Sequence, residues 1–560
     1  MDKTKWYLRR HCEPNLRAKR RGGVAILLAL ALVLSLGIVA LPMAGTAEAV
    51  LPPNEVWVCP TGDCGHPGFS YNTIQAAIGV VAPGGTINVA AGTYNESVTI
   101  NKNNLQLLGA KAGIPAGPEA NAANRSLPSE GSIGESIING KITEPTKVSG
   151  STIAGFTILS AGQNGISLGT RTARVGNVIK NNIIDGGSAN IVKAGISSLA
   201  GGGYLITNNN IRNYKWGMMF DGSVPVTAPP CEISGNYITN ANFAGIVAMA
   251  SWSNGHTFSY NTIENSGAGI HLGQGEHQVS HNTIVGNTGS GIYILAGPRT
   301  FGIQITYNTI EGNATGIELA SDDAGAVNNQ AHFNNIAGNT NGVLNNHSAE
   351  FDAENNWWGN ASGPYHPTTN PGGTGNGVSD NVDYDPWLGA ELEEVESKTI
   401  SDSGTMQDTP TGGDITIDAT GNHTITTAAY AENPGGACPF TNEGSYYDVH
   451  LDSADGVNSL TVQFCPAYEN EVIYFWNGAA WVAASNQVYA DGCVVVTITD
   501  ETQPSLSDLT GLPFGQGFLP PVGGEAYPVN KAGLMMPWIA LGMAVIAGAT
   551  VFTRRRKAQG

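Results

Sequence analysis

Asn261-Thr262-Ile263, Asn282-Thr283-Ile284, Asn308-Thr309-Ile310 and Asn334-Asn335-Ile336 are four copies of one short motif. Asn182-Ile183-Ile184, Asn209-Asn210-Ile211 and Asn236-Tyr237-Ile238 extend the series backwards, with steps between the Asn positions of 27, 27, 25, 21, 26 and 26. Phe156-Thr157-Ile158 and Asn355-Asn356-Trp357 fit before and after it. Each motif is followed by Gly and an apolar residue: Gly195-Ile196, Gly217-Met218, Gly245-Ile246, Gly269-Ile270, Gly291-Ile292, Gly316-Ile317 and Gly342-Val343. A third apolar position lies five residues before the Ile, as at Ile206, Ile233, Phe258, Val279 and Ile305.

Three short apolar strands per repeat, separated by Asn, Gly and Ser, are too short and too rich in β-branched residues for helices. A propeller blade needs about 40 residues. The spacing predicts one coil of a right-handed parallel β-helix, each strand stacking on its equivalent about 4.8 Å along the axis. Roughly ten or eleven coils give a rod on the order of 50 Å long. Asn suits the corners because it tolerates left-handed backbone and can bond along a stack. The motif Asn residues are therefore read as scaffold.

On the N-terminal side of the repeats, Tyr71-Asn72-Thr73-Ile74-Gln75-Ala76-Ala77-Ile78, Ala82-Pro83-Gly84-Gly85-Thr86-Ile87-Asn88-Val89 and Gly92-Thr93-Tyr94 resemble the opening of pectin-lyase-like β-helix proteins. The resemblance implies that the first stretch is a short helix capping the rod. Asn355-Asn356-Trp357-Trp358-Gly359 through Asp383-Tyr384-Asp385-Pro386-Trp387-Leu388 is similar to the closing motif of bacterial surface members. It spans about residues 54–390 and speaks for fold more than function, since the fold hosts lyases, hydrolases, epimerases, adhesins and metal-delivery proteins.

The remaining segments complete an all-β plan. Residues 1–49 have the layout of a signal peptide: basic start, apolar middle, Ala47-Glu48-Ala49. The rod is expected over 50–392, a linker over 393–413, a β-sandwich accessory module over 414–512 and a Pro/Gly stalk over 513–531. A C-terminal transmembrane helix is expected over 532–552, with a basic tail over 553–560. Asn477-Gly478 reads as a hairpin turn. These addresses predict an exported, cell-surface protein anchored in the membrane by its last helix. The cysteines fit an oxidising compartment. Cys59 can pair with Cys64, two of Cys438, Cys465 and Cys493 can pair, and Cys231 is expected to be buried.

In the 560 residues only 13% are charged while 41% are apolar, which excludes a charged disordered chain. A net charge of −19 argues against nucleic acid as a partner. The expected partner is a polysaccharide or cell-surface glycan.

Strand alternation turns the residue after each Gly-apolar marker outward, giving the row Ser197, Met219, Val247, His271, Tyr293, Glu318, Leu344. His271, Tyr293 and Glu318 thus fall together on one face. The loops beyond add Asp221, Trp252, Glu276, His277, Arg299, Asp322 and Asp323. A polysaccharide lyase or C5-epimerase needs a base, an acid and a cation to quiet a uronate carboxylate. His271, Tyr293 and Arg299 suit those roles. A glycoside hydrolase needs two carboxyl groups, for which Glu318 with Asp322 or Asp323 are candidates. Trp252 and Asp221 would contact the sugar. The competing reading is a solvated face on a non-catalytic adhesion or display scaffold. No cofactor is expected, and calcium at the Asp-rich turn 380–385 is the one metal to consider. Met218, Met219 and Met249 near His271 resemble the periplasmic copper-binding β-helix proteins, but alternation turns Met218 into the core.

Overall fold

The structure is a computed structural model. It describes residues 51–519 apart from 118–124, 126–133, 146–147, 170–175, 188–191, 199–201, 221–228, 250–254, 296–299 and 321–326. Short strands recur once or more per coil and pair in parallel with the next coil. One continuous sheet runs through Glu55–Val58, Thr86–Val89, Gln106–Leu108 and Thr152–Ala154, on to Gln304–Thr306 and Gln330–His332. Apart from a two-stranded sheet of Pro364–Tyr365 and Gly375–Gly377, the remaining rod strands form a second, larger parallel sheet. It carries both the Asn-x-Ile strands, such as Thr262–Glu264, and the Gly-apolar strands, such as Ile270–Leu272. The interior is a stack of apolar side chains, with Ile211, Ile238, Ile263, Ile284, Ile310 and Ile336 fully buried in line.

The corner Asn residues form the ladder their spacing suggests. The Oδ1 of Asn209 accepts from the Asn182 backbone N–H at 3.1 Å and from Asn182 Nδ2 at 3.0 Å. The same pattern repeats through Asn236, Asn261, Asn282, Asn308 and Asn334 to Asn356. A second ladder, not read from the sequence, runs Asn287, Asn313, Asn339, Asn376. Buried backbone at a tight corner must be paired, and these amides do it without water.

The helix Ile74–Val80 buries Ile74, Ala77 and Ile78 at the start of the rod, and the Thr73 side chain accepts from the Ala76 N–H as its cap. Arg125, between segments outside the described residues, is buried against the rod. Its Nε donates to Glu135 at 2.7 Å with both side chains buried, while Nη1 donates to the Ile114 and Asn181 carbonyls.

Two antiparallel sheets follow. One orders Leu392–Ser401, Asn422–Tyr430, Thr441–Leu451, Thr510–Phe518, Glu471–Trp476 and Trp481–Ala483. The other orders Gly404–Met406, Gly412–Ala419, Val457–Phe464, Cys493–Ile498 and Gln487–Ala490. Their facing sides share a core that includes Ile415, Val449, Leu460, Val462, Phe464 and Phe514. Glu471–Trp476 and Trp481–Ala483 pair as a hairpin around Asn477-Gly478.

Three expectations change, and the cysteine alternatives are narrowed. Residues 513–518 belong to the sandwich strand Thr510–Phe518 and not to a stalk. Residues 393–413 are not a linker, because Leu392–Ser401 and Gly404–Met406 are strands of the sandwich. The fold class is corrected to all-β over the described residues, with no transmembrane helix as part of it: none of their helices is long and apolar enough to cross a membrane. Residues 532–552, and the segments 1–49 and 553–560, lie outside the described residues. Cys59 pairs with Cys64 and Cys465 with Cys493, leaving Cys438 and the buried Cys231 as thiols.

The rod and the sandwich share an apolar contact. Tyr307, Phe333 and Trp357 of the rod cluster with Leu392, Ala428, Tyr430, Phe440 and Tyr446 of the sandwich. Tyr260, His281, Tyr307 and Phe333 occupy the corner position just before a ladder Asn, each with φ between 56° and 57°. Elsewhere that position holds Asn181, Asn208, Gly235 and Asn355. The rings stack coil on coil, His281 on Tyr307 at 5.5 Å and Tyr307 on Phe333 at 5.3 Å. The sandwich seats on them: Ser397 Oγ hydrogen-bonds with His281 Nε2 at 3.0 Å, and the Tyr307 hydroxyl with His450 Nδ1.

Candidate functional site

The Gly-apolar strands hold the site. Ile246, Ile270, Ile292 and Ile317 point inward in register, so the next residue of each strand faces out. The outward row pairs Ser197 with Met219, Met219 with Val247, Val247 with His271, His271 with Tyr293, Tyr293 with Glu318 and Glu318 with Leu344. The marker glycine sets this register by its lack of a Cβ. On Gly269 a Cβ would lie 2.3 Å from the Gly291 carbonyl oxygen and 2.4 Å from an Ile284 methyl.

His271 and Tyr293 meet edge to face, ring centroids 4.5 Å apart. The other side of His271 stacks on Phe243 at 5.8 Å, and Phe243 meets Trp216 edge-on at 6.3 Å. Phe243 is 45% exposed, unusual for a large apolar ring on an isolated strand face. Sequence reading missed Phe243 and Trp216 because both lie before the Gly marker, outside the row used as a ruler. Lys215 Nζ sits 4.6 Å from the centre of the Trp216 ring and 5.8 Å from that of Phe243. Ser290 Oγ donates to Glu318, fixing its carboxylate.

Burial lowers the His271 pKa, so its imidazole is neutral near neutral pH, and its Nε2 is buried with no hydrogen-bond partner. Burial, with the Glu318 charge second, raises the Tyr293 phenol above its usual range and keeps it protonated. A neutral imidazole in edge contact with a protonated phenol is a base beside an acid.

Asp221, Trp252, Arg299, Asp322 and Asp323 lie outside the described residues. Met219 is half-buried on the row, whereas Met218 is fully buried in the core. His277 does not belong to the site. It is fully buried inside the rod, its Nδ1 accepting the His256 backbone N–H at 3.1 Å. Cys231 N donates likewise to His256 Nδ1, so these imidazoles act as corner acceptors, as Asn side chains do elsewhere. At the Asp-rich turn, Asp380 pairs with His366 at 3.2 Å. Among the described residues no group of three or more His, Cys, Asp or Glu side chains is placed to hold a metal ion.

Residues 146–301 and 194–358 match the family model described as a right handed beta helix region. No curated protein matches the chain. Solved structures similar to it include the A-module of the Azotobacter vinelandii mannuronan C-5 epimerase AlgE4, at 16% identity and TM-score 0.32, covering 51% of this chain and 72% of that one. The pectate lyase Pel9A gives 14% identity and TM-score 0.29, covering 60% and 79%. The phiAB6 tailspike, solved with oligosaccharides of an Acinetobacter baumannii surface polysaccharide, gives 11% and 0.22, covering 80% and 84%. Likenesses this loose carry no activity across. The matched stretches cover the coils that carry the outward row from Ser197 to Leu344.

Proposed function

We propose, for a chain whose rod is a right-handed parallel β-helix, that the protein is an exported carbohydrate-active protein that takes a polysaccharide along the outward row. One observation carries the reading: Phe243, His271 and Tyr293 form a continuous aromatic strip over consecutive coils, its first ring exposed. Sugar rings offer apolar C–H faces, and exposed aromatic rings on a polar surface suit them. Two disulfides support an oxidising compartment.

In the catalytic form of the reading, the His271 imidazole removes the sugar C5 proton and Tyr293 supplies a proton to the departing oxygen. The cleaved product carries a new double bond in a lyase. An epimerase instead returns a proton to C5 from the opposite side. Arg299 is proposed as the cation that quiets the uronate carboxylate, and Trp252, Asp221, Asp322 and Asp323 as further sugar contacts. Incubation with pectin, alginate and neutral glycans, followed by ultraviolet absorbance, reducing-end assay and proton NMR of C5, tests it. Turnover lost in His271→Ala supports it; no turnover on any of them sinks the enzyme form.

A non-catalytic display scaffold is the second reading. The hydrogen bond from Ser290 to Glu318 favours it, because it fixes a carboxylate that a glycosidase would need free. Binding to the same glycans without turnover, weakened in Phe243→Ala, is its expected result.

A further inference from the structure

Two lysines sit at one end of the aromatic strip. Lys193 and Lys215 each immediately precede the paired residues Ala194 and Trp216 on successive coils, and the Lys215 N–H donates to the Lys193 carbonyl at 3.1 Å. Lys193 is exposed. The Lys215 ammonium is held over the Trp216 and Phe243 rings. Such a placement keeps the charge at the surface while an aromatic floor lies beneath it. Asp185, on the strand paired with Asn210–Phe220, is already bonded to Arg212 at 3.1 Å and by Asn213 at 2.9 Å. On a chain of net charge −19, two lysines on successive coils, one with its ammonium over Trp216 and the exposed Phe243, are a local reversal of sign.

Upstream of the lysines the surface is neutral and hydrogen-bonding. Asn164 Nδ2 donates to Ser167 Oγ at 3.2 Å and to Ser197 Oγ at 3.0 Å. Downstream the strip passes through His271 and Tyr293 to the carboxyl side chain of Glu318. The strip therefore has a basic end and an acidic end, with rings between.

We infer that Lys193, Lys215, Trp216 and Phe243 form a subsite for an acidic sugar, one bearing a carboxylate, and that this subsite selects anionic polysaccharides and fixes which way they run along the rod. The inference rests on the glycan reading above. Trp216 and His271 are two coils apart, roughly 10 Å at the spacing of paired strands. An acidic sugar at the lysines thus places a unit about two residues further on at His271. Its ring stacks on Phe243 or Trp216 and its carboxylate faces the ammonium groups.

Calorimetric titration of the full chain with hexasaccharides tests this at low and high salt. The probes are oligogalacturonate and oligomannuronate, with cellohexaose and mannohexaose as neutral controls. Acidic hexamers are expected to bind about tenfold more tightly than neutral ones at low salt, an advantage that shrinks at high salt. Joint replacement of Lys193→Met and Lys215→Met, which keeps the apolar stems, is expected to bring acidic affinity down to the neutral value. Circular dichroism confirms that the variant is folded. Equal affinity for acidic and neutral hexamers, or a preference that survives the double replacement, overturns the inference. Should neutral hexamers bind and Phe243→Ala abolish that binding, the glycan reading still stands without it. Should no hexamer bind, both fall.

Discussion

Asn308 shows what one side chain does at a corner. Its Nδ2 donates to the Val279 and Thr306 carbonyls and to Asn334 Oδ1, and its Oδ1 accepts from the Asn282 N–H and Nδ2. All but the part-buried Thr306 carbonyl are away from water, and each such group left unpaired costs about 1–3 kcal/mol. Asn308→Ala is therefore expected to destabilise the protein by at least about 3 kcal/mol, read from urea denaturation, although it removes no apolar surface. The aromatic corners obey another balance. A bulky residue in the left-handed region costs about 1–3 kcal/mol unless something compensates. Tyr307 is buried against His450 and Phe333 in the joint, whereas Tyr260 is 51% exposed. Replacing Tyr307 by Asn should lose about 2–3 kcal/mol of burial and stacking. Tyr260→Asn relieves the same backbone cost and should leave stability within about 0.5 kcal/mol of wild type. Equal effects of the two in thermal melts would show that the joint does not account for the aromatics.

Strands and their turns carry the next level of cause. The marker glycines are not turn residues: neither Gly269 nor Gly291 has positive φ. They are bare because the next coil's carbonyl and an Ile methyl fill the space a Cβ would need. Gly269→Ala should cost about 1–3 kcal/mol through overpacking and should shift the neighbouring His271 out of register with Tyr293. The expected readout is a lowered melting temperature together with weakened glycan binding, while Gly113→Ala, which meets nothing within 4 Å, changes neither. The same strands explain what sequence reading reached. Period-2 alternation and an unbroken Asn ladder fix the register, so the adjacency of His271, Tyr293 and Glu318 was legible across gaps of more than twenty residues. Residues 393–413 were misread because their Ser, Thr, Gly and Glu content looks like linker. Leu392–Ser401 is an edge strand, however, and edge strands carry exposed polar and charged residues as a safeguard against unwanted pairing.

At the scale of the whole molecule, periodicity made the rod legible but left its partners hidden. Stacking of the sandwich on the rod depends on residues far apart in the chain, such as His281 with Ser397, 116 positions on, and Tyr307 with His450, 143 positions on, which no local pattern links. The aromatic corners were the available signal, since four bulky rings replace Asn or Gly at one recurring position. Burial through rod and joint also sets the response to acid. It pushes His256 and His281 down to about 4, His277 to about 3 with His256 adding to the effect, and His450 to about 4. Below the ordinary histidine value of 6.5 the unfolded chain takes up protons that the folded chain refuses, so stability falls as pH falls. Asp448 works in the other sense. Burial raises it to about 7, despite the Tyr430 hydroxyl bond, so the folded chain binds its proton first and gains stability as pH falls from 7 toward 3.8. Four histidines outweigh one carboxyl. Between pH 6.5 and 5 the net loss is expected to be on the order of several kcal/mol. Urea denaturation across that window should show stability declining with acid. His450→Gln should flatten the decline by about one proton's worth and Asp448→Asn should steepen it. A flat profile in the wild type, or a His450 variant with an unchanged slope, would mean that these imidazoles are reached by water in the folded protein and that the joint is looser than its packing indicates.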